Sequence, residues 1–209
     1  MAEISIPVEV RERIIIESGA MFGKYGIRSM TMDALAEEMG ISKRTIYERF
    51  KDKDTLLLEV IRYFKTRTTE EAHAIIEESS NAIEAMFRIM KMTISQIEQM
   101  NPAFFNDFKK YHARVYKQLA GPGEIRDFSI TLKILETGVE QKVFRNDIHI
   151  DIVNRTLHTL FGLFGHEDNL LQPKYHRREM FEHIIIPYYR GISTPKGQAL
   201  LEEFKGILD

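Results

Sequence analysis

Between positions 43 and 53 the chain reads Lys-Arg-Thr-Ile-Tyr-Glu-Arg-Phe-Lys-Asp-Lys. Five cations, Lys43, Arg44, Arg49, Lys51 and Lys53, oppose only Glu48 and Asp52 there, a local net charge of +3. Ile46 and Phe50 lie four apart and share one helix face. Turning that face inward leaves Lys43, Arg44, Thr45, Tyr47 and Arg49 toward solvent or the flanks. Cations, a hydroxyl and a phenol are the groups that grip phosphate oxygens and read base edges. Main-chain N–H groups at the start of such a helix suit the same oxygens. Asp52 can cap the next helix. Lys53 at that helix start opposes the dipole, an arrangement that an outside anion such as phosphate would relieve.

Those side chains need a scaffold, and the preceding residues supply one. Thr31 is an N-cap candidate with Asp33 in the first turn beyond it. Leu35 and Met39 share a face, and Gly40 offers the left-handed residue that ends a helix. Ser42 is a second N-cap candidate two residues later. The reading is helix, tight turn, helix, with Ile46 and Phe50 anchored on Leu35, Met39 and the Ile15, Ser18 and Phe22 face of the first helix.

At this point the sequence resembles the DNA-binding domain of TetR-type (tetracycline-repressor-like) bacterial transcriptional regulators. The resemblance covers the first 57 or so residues. It rests on Ile14-Ile15 leading to Met21-Phe22, on Tyr25-Gly26, and on Thr31-Met32-Asp33-Ala34-Leu35-Ala36. Gly40-Ile41-Ser42-Lys43-Arg44-Thr45-Ile46-Tyr47 and Phe50-Lys51-Asp52-Lys53-Asp54-Thr55-Leu56 complete it. Phe144-Arg145-Asn146-Asp147-Ile148 also looks like the loop before the family's dimerisation helices. The resemblance implies a homodimer on a palindromic double-stranded operator and a C-terminal helical domain that binds an inducer. Thr31, Thr45, Tyr47 and Lys53 match positions that usually contact phosphates. Ser42, Lys43 and Arg44 match the start of the recognition helix, where base contacts are common. Glu48-Arg49 departs from the aromatic or His often found before Phe50, which leaves open the bases that are read.

The whole chain frames these motifs. Its 209 residues carry 29 Lys+Arg and 31 Asp+Glu, a net of −2 that argues against binding nucleic acid through bulk charge. Residues 1–60 alone hold 9 basic and 11 acidic side chains. The expectation is therefore a shallow salt dependence set by a handful of phosphates per subunit. There is no cysteine, which excludes disulfide scaffolds, thiolate metal sites and Cys nucleophiles. The start lacks a secretory pattern. The longest uncharged apolar stretch, 156–165, is half of the roughly 20 residues a bilayer span needs, so the expectation is a cytoplasmic protein with no membrane partner.

Helical periodicity dominates, giving an all-α fold with helices near 9–24, 32–39, 43–50, 53–78, 82–100, 103–119, 123–142, 150–165, 175–191 and 196–207. Pro187 should kink the second last. The change from short to long helices suggests a three-helix helix-turn-helix domain over 1–53 and a helical-bundle regulatory domain over 54–209. Seams run along Ile125, Phe128, Leu132, Leu135 and Val139 and along Ile83, Met86, Phe87, Met90, Ile94 and Ile97. The segment after Pro102 is apolar over a wide arc, so it is buried between layers or lines a cavity.

Ordinary core explains most Phe and Met residues; a cavity, if the family pattern holds, would be lined by Phe64, Met86, Met90, Phe104, Phe108 and Tyr111 and would take a small apolar ligand. Leu157, Leu160, Phe161, Phe164, Phe181, Ile184, Ile185 and Tyr188 are the dimer-interface candidates, with Gly162 and Gly165 permitting close approach. Glu70-x-x-His73 reads as a solvated face and His166-Glu167-Asp168 as a polar loop, so no metal and no cofactor is expected. The chain offers no paired acid and base for catalysis, and no enzyme is expected. Two alternatives remain: a helical small-molecule-binding protein with a vestigial DNA-binding domain, and a regulator controlled by a protein partner.

Overall fold

The computed structural model describes residues 8–119, 128–162 and 175–208. Its helices are α1 (Val8–Tyr25), α2 (Met32–Glu38), α3 (Lys43–Arg49), α4 (Lys53–Glu78), α5 (Ala82–Glu98), α6 (Ala103–Tyr111), α7 (Ala113–Leu119), α8 (Ser129–Glu140) and α9 (Ile150–Gly162). They continue with α10 (Arg177–Met180), a π-helical turn (Phe181–Ile185), α11 (Ile186–Ile192), α12 (Pro195–Phe204) and a 3-10 turn (Lys205–Leu208). The fold is all-α; among the described residues the β pairing is an isolated bridge between Phe144 and Ser193.

The chain forms two compact units, Met1–Thr68 with Gln99–Gly121, and Thr69–Glu98 with Pro122–Asp209. This grouping departs from a break at residue 53. Leu56, Leu57 and Val60 of α4 are buried in the same cluster as Phe22, Leu35, Ile46 and Phe50. Phe104, Phe108, Val115 and Leu119 join that cluster, so α6 and α7 form a further wall of the helix-turn-helix head. The apolar arc after Pro102 is thus resolved as head core. α6 and α7 also replace the single expected helix 103–119. At the break His112 leaves helical geometry (φ −118°, ψ 39°), and its buried ring places Nδ1 2.5 Å from Asp54 Oδ1 in the first turn of α4.

Local rules hold the head together. Thr31 Oγ1 accepts the Ala34 N–H at 3.1 Å, Ser42 Oγ accepts that of Thr45 at 3.0 Å, and Asp52 Oδ1 accepts that of Thr55 at 2.8 Å. Gly40 takes the left-handed conformation (φ +65°) between the two motif helices. Arg13 closes the other end of α2 by donating Nη2 to the Met39 carbonyl at 2.9 Å. α4 seats closely on α1: a Cβ on Gly19 would lie 2.1 Å from Cε2 of Phe64.

The second unit packs Ile83, Met86, Phe87, Met90, Ile134, Leu135, Phe144, Leu157, Phe181, Ile185 and Tyr189 into one core. Its turn at 142–145 is pinned from the C-terminal side. Arg145 donates its N–H to Ile192 O at 2.9 Å, and Thr194 donates to Val143 O at 3.0 Å from its backbone and to Lys142 O at 2.8 Å from its hydroxyl. The kink expected at Pro187 takes the form of the π-helical turn. Ile186 donates to Phe181 O, five residues back, and this wider turn precedes a residue that has no N–H and crowds the carbonyl four before it. The helix start after Pro122, Ile125 of the first seam, Phe164, Gly165 and His166-Glu167-Asp168 lie outside the described residues.

Candidate nucleic-acid interface

α3 turns Ile46 fully inward, and the residue that follows the helix, Phe50, is buried beside it. Ser42, Lys43, Arg44 and Tyr47 are left exposed and Thr45 half-buried. Tyr47 is half exposed, its phenol carried at the surface of a helix that is otherwise anchored. Thr31 is exposed, with its hydroxyl already accepting a backbone N–H. Ser42 and Thr45 share a hydroxyl–hydroxyl hydrogen bond of 2.8 Å, which orients both at the start of α3.

The cations of this edge have carboxylate neighbours. Lys43 pairs with Asp33 of α2, and Arg44 Nε lies 2.7 Å from Glu48 one turn along α3. The hydrogen bond to Asp33, then its charge, raises the Lys43 pKa; Glu48 does the same for Arg44. Side-chain exposures of 67% and 87% put both pairs in water, where they contribute little and exchange readily for a phosphate. The Arg44–Glu48 pair was readable from its i, i+4 spacing. The Lys43–Asp33 pair depends on the angle between two helices and was not.

Lys53 is placed differently from the surface cation expected. It is half-buried, donates Nζ to the Ile27 carbonyl, and lies 5.7 Å from the centre of the Phe22 ring. Burial lowers its pKa. An ammonium has three donors, so tying one to Ile27 fixes the turn after α1 and leaves capacity for an anion. Arg49, by contrast, buries its Nε with no hydrogen-bond partner among the described residues.

The six residues expected to line a cavity fall in different places. Met86 and Met90 are buried in the core of the second unit. Phe104 and Phe108 are buried in the head core. Phe64 is exposed over Gly19, and Tyr111 is exposed, its hydroxyl accepting from Arg28 at 3.1 Å. Of the expected interface residues, Leu157, Phe181 and Ile185 are core, while Leu160, Phe161, Ile184 and Tyr188 are half-buried against it. Ile152, 59% exposed on α9, belongs with these surface residues and went unnoticed because it stands outside the stripe.

A buried polar group in the second unit was also missed. Asn154 donates Nδ2 to Phe128 O at 3.1 Å, which turns Oδ1 toward the Thr131 hydroxyl at 2.6 Å. That hydroxyl also meets His158 Nε2 at 2.6 Å. A hydroxyl has one proton, and Asn154 Oδ1 can only accept, so Nε2 of His158 carries the proton in this arrangement. Among the described residues no cluster of His, Asp or Glu could hold a metal ion, and no helix is long and apolar enough to cross a membrane.

A short helix started by the Ser42 cap after a left-handed glycine, with an outward row of hydroxyl, cation and phenol, has the form of a helix-turn-helix recognition helix. Residues 15–60 match the family model described as bacterial regulatory proteins, tetR family. Over those residues the head is similar to the DNA-binding domain of tetR-family regulators. The HTH-type transcriptional regulator YvaF of Bacillus subtilis is 28% identical over 187 residues, 88% of this chain and 95% of that one. A tetR-family regulator from Cytophaga hutchinsonii shares the fold with a TM-score of 0.68 at 17% identity, over 92% of this chain and 99% of that one. Thermus thermophilus FadR, a tetR-family transcriptional repressor in complex with lauroyl-CoA, does so with a TM-score of 0.55 at 20% identity, over 93% and 94%.

Proposed function

We propose that this protein is a homodimeric, cytoplasmic repressor that places one α3 in each of two successive major grooves of a palindromic operator and is released by a small apolar ligand. The observation that carries the reading is the outward row Ser42, Lys43, Arg44, Thr45 and Tyr47 on a helix anchored through Ile46 and Phe50. Ser42, Lys43 and Arg44 read base edges; Thr31, Thr45, Tyr47 and Lys53 hold phosphates. Binding DNA exchanges the water-exposed Lys43–Asp33 and Arg44–Glu48 pairs for contacts to the duplex.

The dimer would form through the half-buried Leu160, Phe161, Ile184 and Tyr188 together with Ile152, because a palindrome needs a two-fold reader. The apolar ligand would enter the second unit, where Met86 and Met90 adapt their shape and Thr131, Asn154 and His158 offer polarity. The structural relative that holds lauroyl-CoA makes an acyl chain a first probe. Coupling would run through α4, whose first turn is capped by Asp52 and whose residues from Thr69 onward belong to the second unit. A shift of α4 would respace the two α3 helices so that both half-sites no longer fit together.

Selecting duplexes from a random DNA pool with the intact protein tests this reading. The expected product is an inverted repeat bound by two protomers, with affinity lowered by an acyl ligand. Enrichment of no sequence would refute DNA recognition, and an inverted repeat bound equally with and without acyl ligands would refute release by that ligand class.

A further inference from the structure

The face of α6 and α7 that is not buried in the head carries Lys109, Lys110, Arg114 and Lys117, all exposed. Residues 103–119 contain one acid, Asp107, and its Oδ2 already accepts the backbone N–H of Arg28 at 2.8 Å. Among the described residues, none of these four cations has a carboxylate within ion-pairing distance. Two cations crowd one ring: the Arg28 guanidinium lies 4.8 Å from the centre of Tyr111 and the Lys110 ammonium 5.5 Å from it. Arg114 and Lys117, three apart on α7, share a side of that helix. His112, two residues before Arg114, sets its Nδ1 2.5 Å from Asp54 Oδ1 in the first turn of α4, just after α3. The row therefore begins beside the recognition motif and belongs to the same compact unit.

Charge bookkeeping by unit supports a polyanionic partner. Residues 1–68 hold 12 Lys+Arg and 11 Asp+Glu, and residues 99–121 add 4 and 1, so the head unit carries 16 against 12, a net of +4. The remaining residues hold 13 against 19, a net of −6. The overall −2 thus conceals a division in which α6 and α7 supply most of the positive excess. Gathering like charges costs energy in the free protein, and that cost is recovered when an anion lies across them.

We propose that Arg28, Lys110, Arg114 and Lys117 form a second phosphate-binding ledge that grips the DNA backbone flanking the bases read by α3. The inference rests on the DNA-binding reading above. It adds phosphates to the few expected from the motif alone, so it steepens the salt dependence without adding sequence preference.

The test uses a duplex selected by the unaltered full-length protein, made in a core length and in a form extended by one helical turn at each end. Affinities across a salt series are compared for the unaltered protein and for the Lys110→Ala/Arg114→Ala/Lys117→Ala variant, with thermal melting as a folding control. The unaltered protein is expected to bind the extended duplex more tightly than the core. The variant is expected to lose that gain, with a salt slope shallower by about one per phosphate contact removed and an unchanged ratio between selected and scrambled duplexes. The charge reversal Arg114→Glu/Lys117→Glu should weaken binding further. Equal affinity and slope for the unaltered and triple-alanine proteins on the extended duplex would overturn the ledge while leaving recognition by α3 intact. If the unaltered protein selects no duplex at all, the DNA-binding reading falls and the ledge falls with it.

Discussion

In the head, the helices that matter for recognition start on caps three residues away: Thr31 to Ala34, Ser42 to Thr45, Asp52 to Thr55. The second unit caps α5 and α12 at the same spacing, Asn81 to Glu84 and Thr194 to Gly197, and adds polar contacts that reach across the sequence. Gln141 Oε1 accepts the Ala82 N–H at 2.8 Å, Thr194 reaches back to Lys142, and Thr131 meets Asn154 and His158. The charges divide too, +4 against −6. The comparison teaches that local caps start helices in both units and that distant partners seat them in both, as Ile27 does Lys53 and Asn154 does Thr131. Charge is what sets apart the unit suited to a polyanion.

The largest test of that contrast removes a buried ring from each unit. Phe50→Ala and Phe87→Ala should each cost about 3–5 kcal/mol in denaturant unfolding, since both rings are fully buried. Only Phe50→Ala should remove DNA binding from the protein that stays folded. Next come two glycines. A Cβ on Gly197 would sit 2.0 Å from the Val143 carbonyl oxygen, whereas one on Gly23 in α1 meets nothing within 4 Å. Gly197→Ala should destabilise by roughly 1–3 kcal/mol, and Gly23→Ala should stabilise by up to about 1 kcal/mol; opposite signs in thermal melts check this.

The cap of α4 gives a smaller effect with a pH signature. Asp52→Ala should cost about 1 kcal/mol. The side-chain hydrogen bond from Thr55, followed by the backbone one, holds the Asp52 carboxyl below its ordinary value. A depressed folded pKa gives stability that is complete above the unfolded value of about 3.9 and is lost as the pH falls through the folded one. Asp52→Asn should therefore flatten that acid limb while keeping most of the cap. The smallest effect is at Ser18, fully buried with no partner for its hydroxyl among the described residues. Ser18→Ala should be neutral or stabilising by about 1 kcal/mol, and a clear loss in melting temperature would show that the hydroxyl is engaged.

The same division explains what could be read from the residues alone. The caps and the left-handed Gly40 were legible because each depends on neighbours within a few positions. A helical stripe announces that a face is buried but not against what. Phe104 and Phe108 accordingly read as cavity lining, yet they close the head core. The break at His112 was invisible because its partner, Asp54, lies 58 residues away. Lys53 read as a surface cation since nothing nearby in sequence points to the Ile27 carbonyl. Pro187 announced a kink, and only the backbone revealed the π-helical turn that forms it.

The central claim is that the exposed edge of α3 recognises sequence. The most direct measurement is the ratio of affinities for a selected duplex and its scrambled counterpart at one salt concentration, for the unaltered protein and for Lys43→Ala/Arg44→Ala. The account predicts a preference of about a thousandfold or more for the unaltered protein, largely abolished in the variant with no change in melting temperature. A variant that keeps the full preference would contradict it.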